Sequence, residues 1–249
     1  MTVLAVIPAR WASTRFPGKP VTPIAGKPMI AHVWEKAKEA SSIDEVLVAT
    51  DDDRIAKVCD DYGMAYEMTS ADHATGTDRL AEVAAKREAD VYVNVQGDEP
   101  LIDPRSIDAV AQCLMESVFR SIHVATGYIE GATEEQQQSK SVTHLLPSLD
   151  GCVISFSRYP IPYPMGEPMT PTVHVGLYAF TASALDRFAH WQQGPVEKAE
   201  SIEIIRFLEY GERIAATPIQ PGSIGVDTPE DVARVEEILK KAQPKKAEA

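Results

Sequence analysis

Five apolar residues in unbroken succession, Val3-Leu4-Ala5-Val6-Ile7, end at Pro8 and open onto a loop rich in Gly and Pro. A strand with one face in water alternates apolar and polar residues. A run without alternation predicts a strand covered on both faces, the mark of a parallel sheet. The segments that follow repeat the theme. Helical spacing covers 29–40 (Ile30, Val33, Trp34, Ala37), and 45–50 reads as a strand. A helix follows over 54–62, a short strand over 65–68, a helix over 78–87 capped by Thr77, and a strand over 90–96 that ends at Gly97. Strands and helices alternating at such short intervals require right-handed crossovers. They predict an α/β fold: an open, mainly parallel sheet with helices on both sides.

The pattern changes near residue 104. A helix is expected over 106–116, followed by strand-like runs at 123–128, 152–157 and 174–180 that are separated by loops. This half reads as mixed, with an antiparallel insertion. The segment 134–141 (EEQQQSKS) reads as a polar loop. A helix over 195–210 is stopped by Gly211, and a last helix over 228–242 carries Pro229 in its first turn with Glu230 and Asp231 at its positive end. No linker interrupts the chain, so 1–242 reads as a single domain, with 243–249 a flexible polar tail.

Charge narrows the class. Lys and Arg number 24 against 37 Asp and Glu, a net charge of −13, which disfavours nucleic acid and anionic membranes as partners. No run approaches the ~20 apolar residues needed to cross a bilayer, and the N-terminus lacks the pattern of an export signal. Cys59, Cys113 and Cys152 are scattered without a CxxC pair and suit buried thiols in a reducing cytoplasm.

Against that acidic background, Arg10, Arg15 and Lys19 cluster in the loop after the first strand. Ligands of open α/β sheets sit beyond the carboxyl ends of strands, and guanidinium groups grip phosphate with paired hydrogen bonds. A phosphate-binding loop is therefore expected, with a solvated basic loop as the plain alternative. The loop matches neither GxGxxG nor GxxxxGK[ST]. Asp98 falls at the end of the fourth strand and Asp227 just before the last helix; two carboxylates plus phosphate oxygens suit Mg²⁺. Alone, Asp98 also reads as a turn former and Asp227 as a helix cap. The loop His73-Ala74-Thr75-Gly76-Thr77 offers small hydroxyl residues for a base or ribose, or simply caps a helix. His174, at the start of a strand, reads as structural or as facing a ligand.

Eight segments, PARWASTRFPGKP, GKPMIAHV, ATDDDRI, HATGTDRLAEV, VNVQGDEPLI, SFSRYPIP, HVGLYAF and GVDTPEDVARV, run in order through nearly the whole chain. Together they resemble the 3-deoxy-manno-octulosonate (Kdo) cytidylyltransferases. The resemblance implies a Rossmann-like nucleotidyltransferase fold and a homodimer that joins CTP to a 2-keto-3-deoxy sugar acid. The product would be a CMP-sugar for lipopolysaccharide. It also implies that Arg10, Arg15 and Lys19 meet the CTP phosphates, that Thr75, Gly76, Thr77 and Gln96 lie near cytidine and sugar, and that Asp98 and Asp227 hold Mg²⁺. Gln96, Arg158, His174 and Glu203 would line the sugar pocket.

The chain departs from the family pattern on the sugar side. Val142-Thr143 stands where Val-Lys is usual, Val173 where Arg is frequent, Phe180-Thr181 where Tyr-Arg is usual, and Ile202-Glu203-Ile204-Ile205-Arg206 replaces Leu-Glu-Gln-Leu-Arg. The loop between Pro162 and His174 is short. Fewer cations there raise the alternative of an 8-amino analogue of Kdo as acceptor, because an ammonium group is repelled by Lys and Arg. An N-acylneuraminate cytidylyltransferase and a noncatalytic nucleotide-sugar sensor are more remote alternatives.

Overall fold

A computed structural model describes residues 1–12 and 16–242. Its strands and helices run β1 (Val3–Ala9), β2 (Pro23–Ile24), β3 (Lys27–Pro28), α1 (Met29–Glu39), β4 (Glu45–Thr50), α2 (Asp53–Tyr62), β5 (Tyr66–Met68), α3 (Gly76–Lys86) and β6 (Val91–Asn94). The second half adds α4 (Pro104–Ser117), β7 (Val124–Ile129), α5 (Glu134–Gln138), β8 (His144–Pro147), β9 (Val153–Ser157) and β10 (Val173–Phe180). The chain then forms α6 (Ala182–His190), α7 (Pro195–Glu200), α8 (Ile205–Glu209), β11 (Ala215–Pro218) and α9 (Pro229–Ala242).

Seven strands form one sheet in the order β11-β7-β10-β6-β1-β4-β5. β1 is parallel to β4 and β6, β4 to β5, and β11 to β7; β10 alone runs antiparallel to its two neighbours, β6 and β7. The mainly parallel sheet is thus as expected. The antiparallel part is β10 within the main sheet plus a separate hairpin of β8 and β9. Val3, Ala5 and Ile7 pack on one face with Ile30, Val33, Ile55 and Ile107, while Leu4 and Val6 pack on the other with Leu80, Val83 and Phe188. Both faces are covered, which is why β1 shows no alternation. Each of the Val, Leu, Ile and Phe side chains contributes roughly 1.5–3 kcal/mol on burial. β1 runs two residues past the predicted end because Pro8 still pairs with β4, at a level where β6 no longer pairs with β1.

Several boundaries differ from the sequence reading for identifiable reasons. Helix α3 begins at Gly76 with Thr75, not Thr77, as its cap. Thr75 Oγ1 accepts from the Asp78 N–H at 3.1 Å and the Asp78 carboxylate accepts from the Thr75 N–H at 3.0 Å, a reciprocal box. The expected helix over 195–210 is two helices, because Ser201 takes a left-handed conformation (φ 56°). Residues 134–138 are helical, capped in the same reciprocal way by Thr133 and Gln136. Strands β8 and β11 and helix α6 had no periodic signal strong enough to register.

Arg206 knits the second half to the first. It is 2% exposed; its Nε and Nη2 donate to Glu197 at 2.8 and 2.7 Å, and its Nη1 donates to Asp78 at 3.1 Å. Its guanidinium carbon also lies 3.7 Å from the centre of the Phe188 ring. Arg206→Met strands the equally buried Glu197 and is expected to cost about 3–5 kcal/mol in urea unfolding. Adding Glu197→Leu should recover much of the loss. A single-variant loss below about 1 kcal/mol would show that the pair is not what holds these helices.

Glu82 on α3 pins the loop that precedes the helix. It accepts from the Ser70 N–H at 2.8 Å, lies 2.5 Å from His73 Nε2 and pairs with Lys86 at 2.8 Å. Burial alone would raise its pKa, but the bonds from Lys86, Ser70 and His73 outweigh it and bring it from 4.5 to about 2. The carboxylate therefore stabilises the fold fully above the unfolded value, and that contribution is lost as pH falls toward the folded one. Glu82→Gln should lower Tm at pH 7, and the gap to the parent protein should close between pH 4.5 and 2. A gap independent of pH would assign the effect to shape rather than charge.

Candidate active site

β1 and β6 lie side by side and in parallel, so their carboxyl ends deliver two loops to one edge of the sheet. The first loop carries Arg10. It folds back where the Gly18 N–H donates to the Trp11 carbonyl at 3.1 Å. Gly18 has φ 71°, and a Cβ there would sit 3.1 Å from the Trp11 ring, so backbone and space both favour glycine. The Arg54 guanidinium lies over the Trp11 ring, 3.5 Å from its centre. Lys19 follows directly at the head of a 3₁₀ turn (Lys19–Val21).

The second loop is the turn Gly97-Asp98-Glu99. A Cβ on Gly97 would lie 2.8 Å from the Pro8 carbonyl oxygen, so the absence of a side chain lets this turn press against β1. The Asp98 carbonyl accepts from the Val226 N–H at 2.8 Å, and the Ser223 hydroxyl donates to Glu99 at 2.5 Å. These two bonds bring the segment before α9 onto the same edge. The Lys19 ammonium then donates to Asp98 at 2.7 Å and to Asp227 at 3.3 Å. Asp231 accepts from the Thr228 N–H at 3.0 Å and from the Asp227 N–H at 3.1 Å, so the helix supplies its own carboxylate.

Two adjoining cavities open here. The smaller, about 220 Å³, is bordered by Arg10, Lys19, Asp98 and Asp227; the larger, about 1260 Å³, is bordered by Arg158, His174 and Glu203. Arg10, Thr75, Gly76, Gln96 and Asp227 border both and join them into one cleft. The sequence candidates are thereby brought together with two exceptions. Thr77 borders neither cavity; it is buried, and its N–H donates to Glu203 at 3.2 Å. Arg15 lies outside the described residues.

Burial and charge set the state of the larger cavity. His174 is buried, and desolvation, reinforced by the Arg158 charge, pushes its pKa down to about 3, so the ring is neutral. Glu203 is pushed upward by burial, against the hydrogen bonds it receives from Thr75 and Thr77. Glu99 is raised to about 7 by burial, opposed by Ser223 and assisted by Asp98. Arg158 donates to the backbone carbonyls of Ser141, Glu200 and Ser201 at 2.6, 3.2 and 3.2 Å, so the break after α7 is where this side chain is anchored. Lys198 and Arg234 also border the cavity. Sequence reasoning passed over Glu99, Tyr178, Lys198 and Ser223. Only Glu99, directly beside Asp98, carried a readable signal; Ser223 and Lys198 reach the cleft through loop closure and a helix break.

Chemically, the edge presents separated cations for an oligophosphate and two carboxylates aimed at one point. No group of three or more metal-ligating side chains occurs among the described residues. A pair converging on a common cation is nonetheless the donor set that Mg²⁺ completes with phosphate oxygens and water. No helix among the described residues is long and apolar enough to cross a membrane.

The family model described as Cytidylyltransferase matches residues 4–214. The 3-deoxy-manno-octulosonate cytidylyltransferase of Syntrophotalea carbinolica is 43% identical over 96% of this chain and 99% of its own. The Myxococcus xanthus protein of the same name is 43% identical over 95% and 96%. A solved structure of CMP:2-keto-3-deoxy-manno-octonic acid synthetase complexed with CTP superposes with a TM-score of 0.92 at 36% identity, covering 98% of this chain and 100% of the other. The 4-diphosphocytidyl-2C-methyl-D-erythritol synthase of Anaerococcus prevotii, at 12% identity and a TM-score of 0.61, shares the nucleotidyltransferase fold. With a family model spanning most of its length and relatives matched end to end, the chain belongs to the cytidylyltransferases, in the 3-deoxy-manno-octulosonate group.

Proposed function

We propose that this enzyme transfers CMP from CTP to 3-deoxy-manno-octulosonate, releasing pyrophosphate and forming the CMP-sugar used in lipopolysaccharide synthesis. The observation that carries the reading is the convergence of Asp98 and Asp227 on the Lys19 ammonium, where the two cavities adjoin. The smaller cavity suits the nucleotide and the larger one the sugar acid. Arg10 and Lys19, with Arg15 by resemblance, hold the triphosphate and offset charge on the leaving pyrophosphate. Thr75, Gly76 and Gln96 lie where cytidine meets sugar, with Thr77 acting from behind through Glu203. Arg158, His174 and Glu203 border the acceptor.

The anomeric hydroxyl attacks the α-phosphorus, and charge spreads over nonbridging oxygens, so catalysis is mainly positioning and electrostatic stabilisation. Mg²⁺ held by Asp98 and Asp227 would supply Lewis-acid charge and ease ionisation of that hydroxyl. His174 is too weak a base for this proton near neutrality, which leaves it a hydrogen-bonding role.

The 8-amino acceptor is not favoured. Relatives at 43% identity carry the name of the unmodified sugar, and Arg158 and Lys198 keep cationic character on the sugar side. One domain comprising residues 1–242 would hold both substrates. A homodimer would cover Tyr159, Tyr163 and Met165, which are 78, 80 and 86% exposed between β9 and β10. In this reading the enzyme works in the cytoplasm.

A pyrophosphate-release screen across nucleotides and 2-keto acids tests the reading. Turnover should require CTP and Kdo; preference for N-acylneuraminate or for the amino sugar, or no release with any pair, would overturn it. Asp98→Asn should lower kcat on the order of a hundredfold or more while thermal unfolding stays close to the parent. Unchanged turnover would remove Asp98 from the reaction.

A further inference from the structure

Thr126 lies in the middle of β7, fully buried, and does not border the cleft. Its hydroxyl oxygen sits 3.0 Å from the Leu177 carbonyl and 3.0 Å from His174 Nε2. A hydroxyl has one proton to give, and a carbonyl can only accept. The Thr126 proton therefore goes to Leu177, and the Thr126 oxygen is left to accept. The opposite arrangement, with the hydroxyl donating to the ring, gives up the bond to the Leu177 carbonyl in a residue that is 1% exposed, at a cost of about 0.5–1.5 kcal/mol. The geometry is a product of the sheet: pairing between β7 and β10 shifts register between Val175 and Tyr178, and the Leu177 carbonyl at that irregularity is taken by a side chain.

The rest of the histidine is equally constrained. Its backbone N–H donates to the Thr143 carbonyl at 2.8 Å. Phe156 meets its ring edge-on at 4.9 Å between centres, and Tyr178 lies on another side at 5.5 Å. Nδ1 has no protein partner among the described residues, yet it is not one of the buried atoms left without one, and the opening that His174 borders is the cleft.

We propose that Thr126 is a positioning residue that fixes His174 as the Nε2–H tautomer and so presents Nδ1 to the acceptor pocket as a hydrogen-bond acceptor for a sugar hydroxyl. The role given to the pocket rests on the function proposed above; the tautomer does not. Desolvation keeps the ring neutral, in accord with one bare nitrogen. A hydroxyl can satisfy that nitrogen by donating to it, whereas a carboxylate or phosphate oxygen, having no proton, would face a lone pair. The device therefore sorts the functional groups of the acceptor: its hydroxyls go to His174, and its carboxylate must be met by cations elsewhere in the cleft.

The test combines a spectrum with kinetics. In protein labelled with ¹⁵N in the histidine rings and free of substrate, the His174 signals, assigned by their loss in His174→Asn, should show a protonated Nε2 and a bare Nδ1. Thr126→Val should abolish this fixed state and raise KM for the sugar acid about tenfold, with KM for CTP unchanged. Thr126→Ser, which keeps the hydroxyl, should preserve both the tautomer and the KM. A protonated Nδ1 in the parent protein would overturn the proposal, as would equal losses for CTP and sugar acid or a Ser variant as impaired as the Val variant. Since the spectrum needs no substrate, an enzyme that refused Kdo yet showed the Nε2–H tautomer would refute the proposed acceptor and leave the Thr126 lock standing.

Discussion

A single ammonium group, that of Lys19, stands within hydrogen-bond reach of two carboxylates drawn from distant segments of the chain. Like charges brought together repel, and the ammonium between them offsets that repulsion. Much of the architecture serves this one meeting. The left-handed Gly18 places Lys19, the bare Gly97 lets Asp98 press against β1, and the Asp98–Val226 and Glu99–Ser223 bonds draw in Asp227. Lys19 also borders the smaller cavity, so any anion bound there and the two acids share one electrostatic account.

A second set of contacts ties the start of α3 to the helices that border the larger cavity. Asp78 is both part of the box that caps α3 and a partner of Arg206, while Glu203 receives the Thr77 N–H. The same short helix start therefore touches the loop expected near cytidine and the helices that border the larger cavity. Glu203 illustrates the economy of the arrangement: its carboxylate stabilises a helix N-terminus and borders the cleft at once.

Legibility in the sequence follows how local each signal is. The β1, β4 and α2 segments were readable because burial on both faces, or helical spacing, is written in consecutive residues. Lys19 and Asp98 were readable because strand ends in open α/β sheets are where ligands gather. The role of Asp227 is ambiguous in isolation, since only the fold shows that Asp231 accepts from the backbone entering α9 and that Lys19 reaches Asp227. The break at Ser201, the register shift in β10 and the service of Thr77 behind Glu203 depend on contacts between distant segments, and no periodicity announces them. Thr126 was invisible for the same reason: a threonine in a buried strand looks like any β-branched residue until its partners are known.

The reversed direction of β10 has one further consequence. Tyr178 pairs with Asn94, the last residue of β6, so the residues of β10 before it overhang the end of that neighbour and wall the cleft. One side of the larger cavity is thus masonry rather than curtain: it is fastened by a main-chain ladder to β7. A lineage seeking a different sugar has little freedom to remodel that side by insertion or deletion, and must instead exchange side chains singly, each swap answering to the strand behind it.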